Sequence, residues 1–149
     1  MEQPILKTQR CILRPSTVDD AEWLLRLFND EDVVAYIEGI KWFNTDIEAV
    51  NGFLKSMDRN SARNIGFLWI IIFDESPIGF IMANDIDESP FLTFALMPEY
   101  RNKNLGTEVF ASVNDFISKT FTAPRTETKN PIVHKILRHH SEVLYNRCR

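Results

Sequence analysis

The chain has 149 residues, 44% hydrophobic and 26% charged, with a formal net charge of −4. This is the make-up of one ordinary globular domain covering the whole chain, and it excludes a disordered or fibrous protein. An acidic balance, with a pI near 5.4, sets up no global basic field for nucleic acid or an anionic membrane surface.

The longest apolar run, residues 67–73, is far short of the ~20 residues of a membrane span, and the start Met1-Glu2-Gln3-Pro4 has no signal-peptide core. A cytoplasmic protein without membrane or nucleic-acid partners is expected. Cys11 and Cys148 are too few and too far apart in sequence for a disulfide framework or a zinc site, so two reduced thiols are expected.

In chain order, residues 5–14 suggest a first strand that stops at Pro15. Ser16 and Thr17, each with an Asp three positions later, form a capping-box pattern, and Ala21, Leu24, Leu25 and Phe28 follow at helical spacing, predicting a helix over 18–28. Asn29-Asp30-Glu31-Asp32 breaks it, and a short helical piece over 33–37 ends at Gly39. Thr45-Asp46-Ile47-Glu48 forms a second capping box ahead of a helix whose buried stripe is Ile47, Val50, Leu54 and Met57. Tyr36, Glu38, Trp42 and Phe43, between these helices, are too aromatic for a plain linker.

Residues 67–73 are apolar throughout, as a short strand covered on both faces requires. Asp74-Glu75-Ser76-Pro77 is a turn, and 78–83 form the return strand, where Gly79 marks a bulge or a close approach of another backbone. An acidic turn over 84–90 leads into a strand with Leu92, Phe94 and Leu96 on one face and the small Thr93 and Ala95 on the other. Pro98 stops it. Leu105, Val109, Val113, Phe116 and Ile117 then recur at helical spacing, so residues 101–107 are a helix entrance rich in Arg, Asn, Lys and Gly. Such an entrance has unpaired N–H groups and a positive dipole end, which suits a phosphate; a solvated turn is the alternative. Residues 121–128, broken by Pro124, suggest a further strand. Asn130-Pro131 starts a last helix carrying Val133, Ile136 and Leu137 inward. Residues 141–149 are enough for one more strand.

The string Pro98-Glu99-Tyr100-Arg101-Asn102-Lys103-Asn104-Leu105-Gly106-Thr107-Glu108 resembles the acetyl-CoA pyrophosphate loop of the GNAT superfamily of N-acetyltransferases, Gln/Arg-x-x-Gly-x-Gly/Ala. Arg101 and Gly106 match its ends. Asn104 stands at the middle glycine, and Asn best tolerates the left-handed conformation that such a glycine supplies. Thr8-Gln9-Arg10-Cys11-Ile12-Leu13-Arg14-Pro15 resembles the Thr-x-Arg-Leu-x-Leu-Arg-x opening of the RimJ/RimL-like branch. Residues 29–36 are similar to its acidic break, and Ile78-Gly79-Phe80 to its third strand.

The resemblance implies an α/β (α+β) fold with a central mixed, mostly antiparallel sheet flanked by helices. It also implies direct attack of a primary amine, from a protein N-terminus or a small molecule, on acetyl-CoA as co-substrate. Coenzyme contacts would come from the backbone at Leu96 and Met97, from Arg101, Asn102, Lys103, Asn104, Leu105, Gly106 and Thr107, and from Asn130. Tyr36, Glu38, Trp42 and Phe43 would wall the acceptor cleft; the alternatives are an ordinary solvated carboxylate for Glu38 and, for Trp42 and Phe43, packing that staples the two helices to the sheet.

The family often places a carboxylate where this chain has Phe91. Asp85, Asp87 and Glu88 in the preceding turn are the substitutes, or else simply solvated carboxylates, with His134 and Tyr145 as acid or relay, or else packing. His139-His140 has no partner at ligand spacing, so no metal is expected. A catalytically degenerate module that binds acyl-CoA or a partner protein is the rival, favoured by Asn104, Phe91, Val133 in place of the family's Ser or Ala, and a single final strand where the family has two. A second chain completing that sheet edge would make a homodimer.

Overall fold

A computed structural model describes residues 1–121 apart from Glu38 and Thr45. Its central strand, β3 (Gly66–Phe73), is the apolar run read above as covered on both faces, and residues from Phe67 to Ile71 are at most 1% exposed. Around it stand β1 (Leu6–Lys7), β2 (Cys11–Pro15), β4 (Ser76–Asn84) and β5 (Phe91–Leu96). Among the described residues they form one five-stranded sheet in the order β1-β2-β3-β4-β5, with every neighbouring pair antiparallel. This is the antiparallel sheet flanked by helices that the sequence implies.

The helices are α1 (Ala21–Phe28), α2 (Glu31–Tyr36), α3 (Ile47–Ala62) and α4 (Leu105–Thr120). Because successive side chains alternate faces, Phe67 and Trp69 share one face of β3, and Phe116 of α4 packs 6.3 and 5.9 Å from their ring centres. On the opposite face Phe28 of α1 meets Phe80 of β4 and Phe53 of α3 edge-on, each at 5.7 Å. Such aromatic pairs add specificity to the burial of apolar surface that drives the packing.

Local boundaries differ from the sequence expectation where side chains intervene. The first strand is two strands, because Thr8 closes a hairpin: its N–H donates to the Cys11 carbonyl and its hydroxyl accepts from the Cys11 N–H, both at 2.9 Å. The first helix opens as a 3₁₀ turn, Val18–Asp20. Its anchor is the buried Asp20, whose carboxylate accepts from Thr17 N–H at 2.8 Å, from both Arg14 Nη atoms at 2.9 and 2.6 Å, and from Trp23 Nε1 at 3.0 Å. Helix α2 begins two residues earlier than expected, since Asp30 caps it by accepting from the N–H groups of Asp32 and Val33. Helix α3 is capped by Asp46, which accepts from Ala49 N–H at 2.8 Å; Thr45 lies outside the described residues. So do the expected strand over 122–128, the helix from Asn130 and the final strand over 141–149.

Gly79 is both a bulge neighbour and a close approach. Ile71 pairs with Gly79 and Ile72 with Pro77, leaving Ile78 as the extra residue of a bulge. A Cβ on Gly79 would lie 2.1 Å from the Ala95 carbonyl oxygen and 2.9 Å from Leu96 Cα, both backbone atoms of β5. Gly79→Ala should therefore destabilise the fold by about 3 kcal/mol, read as a lower urea midpoint at unchanged slope.

Candidate functional site

The site is assembled where β5 ends. Met97 N–H donates to the Ile78 carbonyl at 2.7 Å, extending the β4–β5 ladder by one rung past the last paired strand residue, Leu96. Antiparallel pairs alternate between bonding inward and facing away, so with Met97 bonded to β4 the amide of Leu96 faces the outer edge of β5. The Met97 amide is thus already engaged, and of the two backbone donors expected here the outward one is Leu96. Pro98–Tyr100 forms a 3₁₀ turn that carries the chain from the sheet edge to α4.

Between that turn and α4 lies a loop with two asparagines in the left-handed region, Asn102 at φ 62° and Asn104 at φ 63°. The conformation expected at Asn104 is therefore present. The Asn104 side chain does not cap α4, and in the first intrahelical bond the Glu108 N–H donates to the Asn104 carbonyl at 3.3 Å. The N–H groups of Leu105, Gly106 and Thr107 consequently have no intrahelical acceptor, at the positive end of a 16-residue helix. Thr107 Oγ1 is buried and is without a hydrogen-bond partner among the described residues. An orphaned buried hydroxyl is costly unless something accepts from it or donates to it, and here it stands beside three amides that have no intrahelical acceptor. Lys103 is exposed, with Nζ 5.8 Å from the Tyr100 ring centre.

Arg101 is placed differently from the expectation. Its Nε donates to the Leu96 carbonyl, its Nη1 to Asp32 Oδ2 and its Nη2 to Asp30 Oδ1, each at 2.9 Å, and its side chain is 14% exposed. Neither carboxylate was legible as its partner, because both lie about seventy positions away at the start of α2.

Glu108, in the first turn of α4, ties the loop to the β1–β2 hairpin. Its carboxylate accepts from the Thr8 hydroxyl, from Arg10 N–H at 2.7 Å and from Arg10 Nε at 2.9 Å. Burial alone pushes this carboxyl up; the Thr8 and Arg10 donors and the Arg10 charge outweigh it, holding the group below its ordinary value.

Of the acceptor-cleft candidates, Phe43 packs on Phe53 of α3 with ring centres 4.8 Å apart, which is the staple role. Tyr36, at the end of α2, is partly buried against the core. Trp42 ends a 3₁₀ turn, Ile40–Trp42. Asp85 and Glu88 are exposed in the β4–β5 turn, next to the Asn84–Phe91 pair. That is the opposite end of β5 from Leu96, roughly 17 Å away at strand rise. Glu38, Asn130, His134 and Tyr145 lie outside the described residues. Among the described residues no three His, Cys, Asp or Glu are grouped to hold a metal ion, and no helix is long and apolar enough to cross a membrane.

Among the described residues an antiparallel sheet ends at β5 and feeds a helix start whose first amides have no intrahelical acceptor, an arrangement suited to an anion. The chain belongs to the acetyltransferase (GNAT) domain family, whose model matches residues 10–140. No curated protein matches it by sequence.

Among solved structures it is similar in fold to RimL, a ribosomal-protein alpha-N-acetyltransferase in complex with coenzyme A, with a TM-score of 0.69 at 11% identity over 91% of this chain and 81% of that one. It is also similar to the microcin self-immunity acetyltransferase MccE in complex with acetyl-CoA and AMP, with a TM-score of 0.68 at 13% identity over 88% and 77%. RimJ of Mycobacterium smegmatis in complex with a coenzyme A disulfide gives 0.67 at 13% identity over 91% and 72%.

Glu108 sets a pH expectation. A carboxylate whose folded pKa is depressed contributes stability that is fully present above its unfolded value and is lost as pH falls through the folded one. Glu108→Gln should lower stability at pH 7 by about 1.5 kcal/mol and flatten the fall in Tm below about pH 4.3, measured by thermal melts from pH 7 to pH 2.5.

Proposed function

We propose that this chain is an acetyl-CoA-dependent N-acetyltransferase of the RimJ/RimL-like branch, moving an acetyl group to a primary amine of a protein N-terminus or a small molecule. The observation that carries this reading is the start of α4: two left-handed asparagines, three amides without intrahelical acceptors, and the orphaned Thr107 hydroxyl in one loop. Backbone N–H groups at a helix start fit a pyrophosphate, and Lys103 adds a mobile cation beside it. RimL and MccE, similar in fold, are described in complex with coenzyme A and acetyl-CoA respectively.

The residues of this chain divide the task by position. The amides of Leu105, Gly106 and Thr107 and the Thr107 hydroxyl would hold the pyrophosphate. Leu96 N–H, at the outer edge of β5, would donate to a coenzyme amide or to the oxyanion that develops when a neutral amine attacks the thioester carbon and the thiolate leaves. Helix α2 and the aromatic segment after it stand on the acceptor side. Asp85 and Glu88, exposed at the Phe91 end of β5 and roughly 17 Å along the strand from Leu96, are the candidates for taking up the amine's proton.

That same placement favours a second reading, a module that binds acyl-CoA without transfer. Acetyl-CoA at a hundred times its Kd should add about 2.7 kcal/mol. For a domain of this size that raises Tm by roughly 5–10 °C. A rise with amine-dependent thiol release supports the transferase; a rise without release for protein N-termini or small amines leaves the binding module. No rise at millimolar acetyl-CoA sinks both readings. In the same assay Asn104→Gly should bind at least as well as the native chain, since glycine adopts the left-handed region freely.

A further inference from the structure

Arg101 occupies the position at which the resemblance implies a coenzyme contact, yet each of its three guanidinium nitrogens already donates to protein. Nε faces the Leu96 carbonyl, Nη1 faces Asp32 and Nη2 faces Asp30, all at 2.9 Å. Asp30 in turn serves two structures with one oxygen, because Oδ1 also caps α2 through the N–H groups of Asp32 at 3.1 Å and Val33 at 3.3 Å. A single planar cation therefore joins the end of β5, the loop before α4 and the start of α2.

Turning Arg101 toward a phosphate would strip the carbonyl of its donor and leave two carboxylates without their cation, one of them, Asp30, only 20% exposed. Breaking a half-buried pair from one side is costly because the remaining charge stays desolvated. Lysine would not replace the arrangement, since a point charge cannot address three acceptors in one plane.

Resting on the coenzyme reading above, we infer that Arg101 is a positioning residue: with Asp30 and Asp32 it latches the coenzyme loop to α2, presetting the amides of residues 105–107 for the pyrophosphate and tying that loop to the acceptor side of the site. A loop held in its binding conformation avoids the ordering entropy that a free loop would lose on binding. Asp30 thus promotes the binding of an anion although it is itself an anion.

The opposed signs of charge and latch make the test. Coenzyme A is titrated by calorimetry at 15 °C into the full chain and into Asp30→Ser, Asp32→Asn, Arg101→Ala and the Asp30→Ser/Arg101→Ala double variant, with each fold checked by circular dichroism. Serine keeps a cap for α2 while removing the carboxylate. The exposed Asp32, 66% accessible, provides a second variant should Asp30→Ser not fold.

The latch predicts that Asp30→Ser and Arg101→Ala each weaken coenzyme A by about fivefold to tenfold, that Asp32→Asn weakens it less, and that the double variant loses no more than the worse single one. If Arg101 instead binds phosphate directly, Asp30→Ser frees the guanidinium and removes a repelling charge, so coenzyme A binds more tightly and the inference is overturned. Unchanged affinity in folded variants with lowered melting temperatures overturns it as well, leaving Arg101 a purely structural residue. A native chain that does not bind coenzyme A at all is a separate result: it removes the coenzyme reading and the latch with it.

Discussion

Everything at the candidate site follows from where the β4–β5 ladder ends. The bond from Met97 N–H to the Ile78 carbonyl is its last rung, and it forms because Gly79 lets β4 lie against Ala95 and Leu96 with no side chain between. Beyond that rung the 3₁₀ turn Pro98–Tyr100 takes over, so the chain leaves the sheet at a set place and direction. The outward amide of Leu96, the 3₁₀ turn and the start of α4 all take their positions from it. A one-residue slip would exchange the two faces of β5 and turn Leu96 inward.

Charge in this acidic chain is concentrated at joints. Asp20, 2% exposed, gathers Arg14, Trp23 and the Thr17 amide, and burial is outweighed by those donors, so its carboxyl is held below the ordinary range. The same hydrogen bond pushes the Arg14 guanidinium up. Glu108 does for the β1–β2 hairpin and α4 what Asp20 does for β2 and α1, while Asp30 and Arg101 join α2 to the loop. Each carboxylate accepts from several donors at once, which is how a desolvated charge is held in a fixed place. The strings resembling the RimJ/RimL-like opening and the coenzyme loop touch at one of these joints: Thr8 and Arg10 hold Glu108.

Much of the fold was legible because its signals are short in range. Seven apolar residues in a row can hardly be anything but a strand covered twice, and Leu92, Phe94 and Leu96 announce a period of two that gives way to the helical spacing of Leu105, Val109 and Val113. The left-handed Asn104 was legible from the resemblance, which sets it at the loop's middle glycine, together with asparagine's tolerance of that conformation. The hairpin at Thr8 was missed because its turn is closed by a side chain and braced by Glu108, a hundred positions away. The early start of α2 was missed because an acidic run reads as a helix breaker, whereas its first Asp is a cap. At the site, Asp85 and Glu88 are near Phe91 in sequence, but the antiparallel turn puts them at the end of the strand away from Leu96.

By itself the sequence determined, over residues 16–121, the run of strands and helices, the strand covered on both faces and the helix entrance at residues 101–107, since periodicity, turn chemistry and caps act over a few residues. Only the tertiary structure decided which groups at that entrance are free. Arg101 looks like the available cation in the sequence and is engaged by Asp30 and Asp32 at the start of α2; Thr107 is one loop residue among several there, and its buried hydroxyl has no partner among the described residues. The difference is physical: a residue's type sets what it can bond, but whether those bonds are already made depends on partners that the fold brings from distant parts of the chain.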